Sequence, residues 1–110
     1  MISLGQLIRD EREKRRWPQR KLAYQLDIDV SVLSRMENEN KFPKKRIPEI
    51  ISKVSELFGI DEIELKKIHL SDEIANILMY ENKYEEILKA SEAKVHYGRQ
   101  KNSQQTDLKF

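Results

Sequence analysis

Two short amphipathic segments joined by a polar turn, between residues 19 and 43, constrain the fold of this 110-residue chain most strongly. In the first segment three apolar residues recur at helical spacing, and in the second Leu33 and Met36 lie one helical turn apart. Asp27 and Asp29 lie in the turn between the two segments. The pattern predicts a pair of short helices, each with an apolar side facing inward and a polar side facing outward.

Further helices are predicted on both sides of this pair. Ser3 and Gln6 form a Ser-x-x-Gln capping pattern, which predicts a first helix from Leu4 to about Arg16. The second helix of the central pair is expected to span residues 30 to about 37. A strongly amphipathic helix follows the loop that contains Pro43.

Gly59 is expected to end that fourth helix, and the acidic stretch from Asp61 predicts the start of a fifth. The predicted fold class is therefore all-α, with a compact five-helix domain over residues 1–68. A C-terminal helical extension is expected over residues 69–97, and a polar flexible tail over 98–110.

Apolar residues continue at helical spacing in the C-terminal extension, beyond a bundle that is already complete. Two interpretations remain open: the extension packs on its own domain, or it pairs with the same segment of a second copy. Dimerisation is the favoured interpretation. The residues expected at the contact are Ile74, Ile77, Leu78, Tyr84, Ile87 and Leu88.

The net charge of +2 conceals an asymmetry between the two parts of the chain. Residues 1–46 carry 12 Lys/Arg against 7 Asp/Glu, whereas residues 47–110 carry 9 against 12. A basic surface favours a polyanionic partner, although it can equally be an ordinary solvated surface. The charge pattern alone does not choose between these two interpretations.

Several classes of function find no support in the residues. The chain has no cysteine, and His69 and His96 are far apart without spaced ligand partners, so no metal site is expected. No phosphate-binding glycine loop or nucleophile motif is present, which argues against an enzyme and against a cofactor. No stretch resembles a signal peptide or a membrane helix, and the expected location is cytoplasmic.

The first 68 or so residues resemble the Xre/Cro-like helix-turn-helix family, which includes phage repressors and many bacterial regulators. The family implies a compact five-helix domain that binds double-stranded DNA, usually as a dimer on a palindromic operator. The resemblance is carried by Leu4-Gly5-x-x-Ile8-Arg9, by Gln19-x-x-Leu22-Ala23-x-x-Leu26, by Ile28-Asp29-x-Ser31-x-Leu33-Ser34-Arg35-Met36-Glu37-Asn38, and by Phe58-Gly59-Ile60-Asp61.

Matching positions imply three sets of site residues. The resemblance implies that the exposed side of the third helix reads base edges in the major groove, through Val30, Ser31, Val32 and Arg35. Contacts to phosphate are implied for Gln19 and Asn38. Arg9 on the first helix and Lys41 in the loop are further expected phosphate contacts, Lys41 being a weaker candidate together with Lys44, Lys45 and Arg46. The family position of a structural ion pair is occupied by Arg12 and Glu37.

Four residues depart from the family pattern. Pro18 stands where a capping Ser or Thr is common, and Asp27 replaces the usual turn glycine. Asp29 and Glu39 add negative charge near the expected DNA backbone. These acids imply weak intrinsic binding, which makes dimerisation more necessary.

The sequence thus leads to the hypothesis of a transcriptional regulator, most simply a repressor that occludes a promoter as a homodimer. A controller of restriction-modification genes and an antitoxin are related possibilities. The alternative from a different class is a protein-interaction adaptor, in which the C-terminal helix is the docking site. No small-molecule ligand is indicated.

Overall fold

The computed structural model describes residues 2–108, with side chains as far as residue 102, and this part of the chain is helical without any strand. The predicted all-α fold class is confirmed. A single 3₁₀ turn, Lys44–Arg46, lies between the third and fourth helices. The six helices are α1 Leu4–Lys14, α2 Gln19–Leu26, α3 Val30–Glu39, α4 Ile47–Phe58, α5 Glu62–Leu78 and α6 Tyr84–Leu108.

The chain divides into two compact units, Met1–Ala75 and Asn76–Phe110. The boundary expected at residue 68 lies inside α5, which continues without a break because no Gly or Pro interrupts it. Residues 98–108, expected as a flexible tail, are part of α6, where straight-chain residues such as Arg99 and Lys101 favour helix. Residues 109 and 110 of the expected tail lie outside the described residues.

The first unit is built around one apolar core. The inward faces predicted for the central helix pair are buried in it, together with residues of α1, α4 and α5. Trp17 and Ile28 pack against its edge, which explains the tight turns that precede α2 and α3. The core residues are Leu4, Ile8, Leu22, Ala23, Leu26, Leu33, Met36, Ile50, Ile51, Val54, Phe58 and Leu65.

Side chains from distant parts of the unit cap the beginning of α1. The Ser3 hydroxyl accepts from the Gln6 N–H at 3.2 Å, as the capping pattern predicts. The amides of Leu4 and Gly5 donate to Asp72 Oδ2 and Asn40 Oδ1, both at 2.9 Å. Three of the N–H groups that a helix start leaves unpaired are thereby satisfied.

Gly5 allows α1 to cross closely over the end of α3. A Cβ atom at this position would lie 1.9 Å from the carbonyl oxygen of Met36. Asn40 ends α3 in the left-handed conformation, with φ 55°, and donates to Asp72 Oδ2 at 3.1 Å. The start of α1, the end of α3 and the middle of α5 therefore meet at one point.

Two helix ends differ from the sequence predictions. Helix α1 ends at Lys14 rather than near Arg16, because Arg16 takes the left-handed conformation with φ 58°. Helix α3 continues to Glu39, two residues further than expected. No helix in the described residues is long and apolar enough to cross a bilayer.

Candidate nucleic-acid interface

Helix α3 is held firmly on its inner side. Leu33, Met36 and Glu37 are buried, and the helix packs on both α1 and α2. Its start follows Asp29, whose backbone carbonyl accepts from the amides of Val32 and Leu33, while its side chain makes no capping bond. The inner side thus fixes which residues of α3 face outward.

The ion pair implied between Arg12 and Glu37 is present and is the main polar contact beneath α3. Arg12 Nε and Nη2 lie 2.8 and 2.9 Å from the two carboxylate oxygens of Glu37, which is only 4% exposed. Arg12 also donates to the carbonyl of Trp17 at 2.8 Å. This bidentate pair joins α1, α3 and the turn before α2.

Gln19 has an additional role that the sequence did not predict. Its side-chain nitrogen donates to Glu37 Oε1 at 3.0 Å, so one of its amide hydrogens is used inside the fold. The Gln19 backbone amide remains at the start of α2, behind Pro18, which provides no side-chain cap. Any phosphate contact by Gln19 therefore depends on its second amide hydrogen or on the helix start itself.

Three of the four residues predicted to read bases lie on the outer side of α3. Val30, Ser31 and Arg35 are exposed, and we call them the α3 face. Val32 differs, because it is partly buried and packs against the core. It also lines a hollow of about 240 Å³ beside Arg35 and the loop that begins at Lys41. The fourth residue therefore borders the α3 face instead of projecting from it.

Arg9 and Asn38, both predicted to contact phosphate, lie together near the end of α3. Arg9 Nη1 donates to Asn38 Oδ1 at 3.3 Å, and Asn38 Nδ2 donates to Ser34 Oγ at 3.1 Å. Arg9 also bonds Glu13 at 2.9 Å, and this carboxylate raises the pKa of Arg9 above its ordinary value. The positive charge of Arg9 is therefore partly neutralised within the fold.

The part of the sequence that contains α3 carries an excess of positive charge. Between residues 16 and 46 the chain carries eight Lys/Arg against four Asp/Glu. Lys41, Lys44 and Lys45 are exposed in the segment that follows α3, and Arg35 is exposed on α3 itself. Within the part of the chain that the structure describes, none of these four cations has an ion-pair partner. They are free to neutralise an anion.

Arg46 does not belong to this set of free cations, contrary to its place among the weaker candidates. Its guanidinium donates to the carbonyls of Leu26 and Asp27 at the end of α2, and to Glu49 at 3.1 Å. The bond from Arg46 is the main reason that the pKa of Glu49 lies below its ordinary value. Arg46 therefore caps the C-terminus of α2 and links it to the first turn of α4.

The acidic departures occupy distinct structural positions. Asp27 takes the left-handed conformation that a turn glycine would take, with φ 54°, so it preserves the turn. Asp29 and Glu39 are found at the two ends of α3, and both are exposed. The negative charges thus flank the α3 face and do not lie within it.

The residues predicted for dimerisation are divided between the two units. Ile74 and Ile77, near the end of α5, are exposed, as are Tyr84, Ile87 and Leu88 on α6. The sixth residue differs, because Leu78 is only 8% exposed within a single chain. Leu78 therefore cannot provide a large contact to a second copy.

Asn40 and Asp72 are the positioning residues that the sequence analysis did not identify. They hold the start of α1 against the end of α3, as described above. An asparagine directly after an amphipathic helix could have suggested the left-handed cap, but nothing local indicates its bond to Asp72, which is 32 residues away. No group of three or more potential metal ligands lies together in the described residues.

Comparison of the sequence with protein-family models, and of the chain with curated proteins and solved structures, finds no match.

Proposed function

We propose that this protein is a sequence-specific DNA-binding regulator that acts as a homodimer through the α3 face. The observation that carries the proposal is the way α3 is held. Its inner side is fixed by a buried ion pair, and its outer side presents Val30, Ser31 and Arg35, which has no ion-pair partner among the described residues. A rigid helix with exposed hydrogen-bonding side chains fits the major groove of DNA.

The chemistry of the α3 face fits a site that contains both G and T. Arg35 can bond the O6 and N7 atoms of guanine in a bidentate manner, and Val30 can contact a thymine methyl group. Ser31 can donate or accept a hydrogen bond. In a symmetric dimer the two copies of α3 would lie about 34–36 Å apart, which is one turn of DNA.

Phosphate contacts are assigned to the free cations of the loop and to the start of α2. Lys41, Lys44 and Lys45 lie in the segment that follows α3, where they can neutralise phosphates on one side of the groove. Gln19 begins α2, whose unpaired backbone amides can hold an anion on the other side. Regulation would then follow from occlusion of the promoter.

Selection from random-sequence DNA at two salt concentrations tests this proposal. We expect enrichment of a two-fold palindrome, with half-sites separated by one helical turn. Binding that depends on salt but enriches no sequence would contradict sequence reading by α3, because phosphate contacts alone carry no sequence information.

A matched pair of variants at Arg35 separates base reading from charge. Arg35→Lys keeps the charge but loses the bidentate geometry, so specific binding is expected to weaken by about 1–3 kcal/mol while non-specific binding stays unchanged. Arg35→Ala should weaken both. Equal specific affinity for Arg35→Lys and the native protein would mean that Arg35 contacts phosphate only.

The adaptor hypothesis rests on the exposed apolar residues near the end of α5 and on α6. Ile77, which is 72% exposed, is the sharpest probe. If Ile77→Glu leaves both the dimer and DNA binding intact, this residue does not form the dimer contact. If DNA binding is absent in every variant and a partner protein is lost with Ile77→Glu, the adaptor hypothesis replaces the regulator.

A further inference from the structure

Helix α6 carries a narrow stripe of residues at heptad spacing. Positions 84, 88, 91, 95 and 98 follow one another at intervals of four and three residues, which is the repeat of a helix that pairs with another helix. At about 100° per residue they fall within an arc roughly 80° wide. We call Tyr84, Leu88, Ser91, Val95 and Gly98 the α6 stripe.

Nothing in the described part of the chain covers this stripe. Tyr84, Leu88 and Val95 are 48%, 42% and 52% exposed. Gly98 is less favourable than alanine inside a helix, yet a Cβ atom there would meet no atom within 4 Å. The described chain therefore gives no packing reason for this glycine, whereas a closely approaching second helix would.

We propose that the α6 stripe pairs with the α6 stripe of a second copy in antiparallel orientation, centred on residue 93. In this register Leu88 lies opposite the partner's Gly98, and Ser91 lies opposite the partner's Val95. A large side chain faces a small one in both of these layers, which allows close interdigitation. Parallel pairing would place Leu88 on Leu88 and leave Gly98 facing Gly98.

Ser91 is compatible with a dry contact. Its hydroxyl already donates to the carbonyl of Ile87 at 2.8 Å, within the same helix. A hydroxyl that is satisfied in this way can be buried without leaving an unpaired donor. Ser91 therefore acts as a small residue in the stripe.

Charges beside the stripe favour the same orientation. Glu85 and Glu86 lie at the beginning of α6, and Arg99 and Lys101 lie further along it, all of them exposed. Antiparallel pairing brings the acidic end of one copy to the basic part of the other, with Glu85 near the partner's Arg99. Antiparallel pairing also places the positive end of each helix dipole beside the negative end of the other, which is favourable.

Parallel pairing would instead place Lys94 beside the partner's Arg99, a like-charge contact. The antiparallel register has two like-charge contacts of its own, where Glu92 and Lys94 each meet their own copy near the two-fold axis. Both residues are exposed on opposite flanks of the stripe, where water and salt screen such contacts. Size and charge together therefore select the antiparallel pair.

This inference rests on the proposed homodimer and makes no use of DNA contacts, so it is tested with the full-length protein in the absence of DNA. Sedimentation equilibrium is used to measure the dimer dissociation constant. Gly98→Leu should weaken the dimer at least about tenfold, because the introduced leucine side chain would collide with the partner's Leu88. Ala93→Leu, on the opposite side of α6, is the matched control and should leave the constant unchanged.

A size exchange tests the register directly. Leu88→Ala alone should weaken the dimer, whereas Leu88→Ala combined with Gly98→Leu restores a large residue opposite a small one and should recover most of the affinity. Circular dichroism verifies that α6 remains helical in each variant. A double variant that is as weak as the sum of the single changes would overturn the register.

Orientation is measured with spin labels, which is simple because the chain contains no cysteine. Glu86→Cys, Ala93→Cys and Gln100→Cys place labels on the outer side of α6. Each distance is measured between the same labelled residue in the two copies. In an antiparallel pair the two labels at residue 93 lie level with each other and give the shortest distance. The two labels at residue 86, or at residue 100, are also displaced by about 21 Å along the helix axis. Three equal distances would show a parallel pair and overturn the proposal.

Two further outcomes would also overturn it. A protein that stays monomeric up to millimolar concentration would show that α6 is not covered by a second copy. A dimer that is insensitive to both Gly98→Leu and Leu88→Ala would use another surface. Loss of DNA binding by a protein that dimerises as described would instead contradict the proposed function alone.

Discussion

The buried ion pair beneath α3 leads to the sharpest prediction for stability. Arg12→Met removes both guanidinium bonds to Glu37, whose carboxylate is then left with the single bond from Gln19 at 3.0 Å. The side chain of Glu37 is 1% exposed, so water cannot replace the lost donors without a rearrangement of α3. The carbonyl of Trp17 loses its donor as well.

The magnitude follows from this burial. Breaking a buried pair by removing one partner costs about 3–5 kcal/mol, because an uncompensated charge remains. For a domain of this size the melting temperature should fall by at least roughly 12 °C. When Arg12→Met is combined with Glu37→Met, no buried charge remains, and the double variant should be more stable than Arg12→Met alone.

Urea unfolding followed by fluorescence of Trp17 measures the effect. Trp17 is the only tryptophan, and it packs on Phe58 with a ring-centre distance of 6.0 Å, so its signal reports the first unit. Arg9→Met is the matched control on α1. Its ion pair with Glu13 is about half exposed, and the loss should stay below about 1 kcal/mol. Equal losses for Arg12→Met and Arg9→Met would show that the buried pair stabilises the fold no more than an exposed one.

Three further predictions concern the close helix crossing, the loop and the acid range. Gly5→Ala should destabilise the first unit by about 1–3 kcal/mol, since the new Cβ collides with the Met36 carbonyl; unchanged urea unfolding would contradict this contact. Lys41→Ala should weaken binding to all DNA sequences alike and reduce the slope of log K against log salt by about 1; an unchanged slope would remove Lys41 from the interface. The guanidinium of Arg15 lowers the pKa of Glu11 in the folded state below the ordinary value of 4.5. The ionised Glu11 therefore stabilises the fold fully above pH 4.5, and this stabilisation is lost as the pH falls through the lowered pKa of the folded state. The native protein should thus have a higher free energy of unfolding than Glu11→Gln near neutral pH, and this difference should disappear in acid.

The helices could be predicted from the sequence because apolar residues repeat at helical spacing along nearly the whole chain. Helical spacing predicts that Leu22, Leu26, Leu33 and Met36 face inward, and all four are buried. The ends of helices were less predictable, since they depend on single backbone conformations. Arg16 ends the first helical region by a positive φ, which few non-glycine residues adopt.

In the candidate site, exposure along one helix could be predicted from the sequence, but contacts between different helices could not. Spacing along α3 predicts that Ser31 and Arg35 share one side, and both are exposed. The same spacing could not predict that Val32 packs on the core, because its neighbours come from other helices. Local patterns also contain no information on the bond from Gln19 to Glu37, which joins residues 18 positions apart.

The capping of α1 has a consequence for the order of folding during synthesis. Helix α1 is the first to be made, but the carboxylate that receives its Leu4 amide belongs to Asp72, 68 residues later. Until that residue has been added, the nascent chain can form α1 and α3 but cannot complete the point where both meet α5. A ribosome-bound chain that stops before Asp72 therefore keeps a frayed start of α1, and the first unit cannot close until nearly all of it has been synthesised.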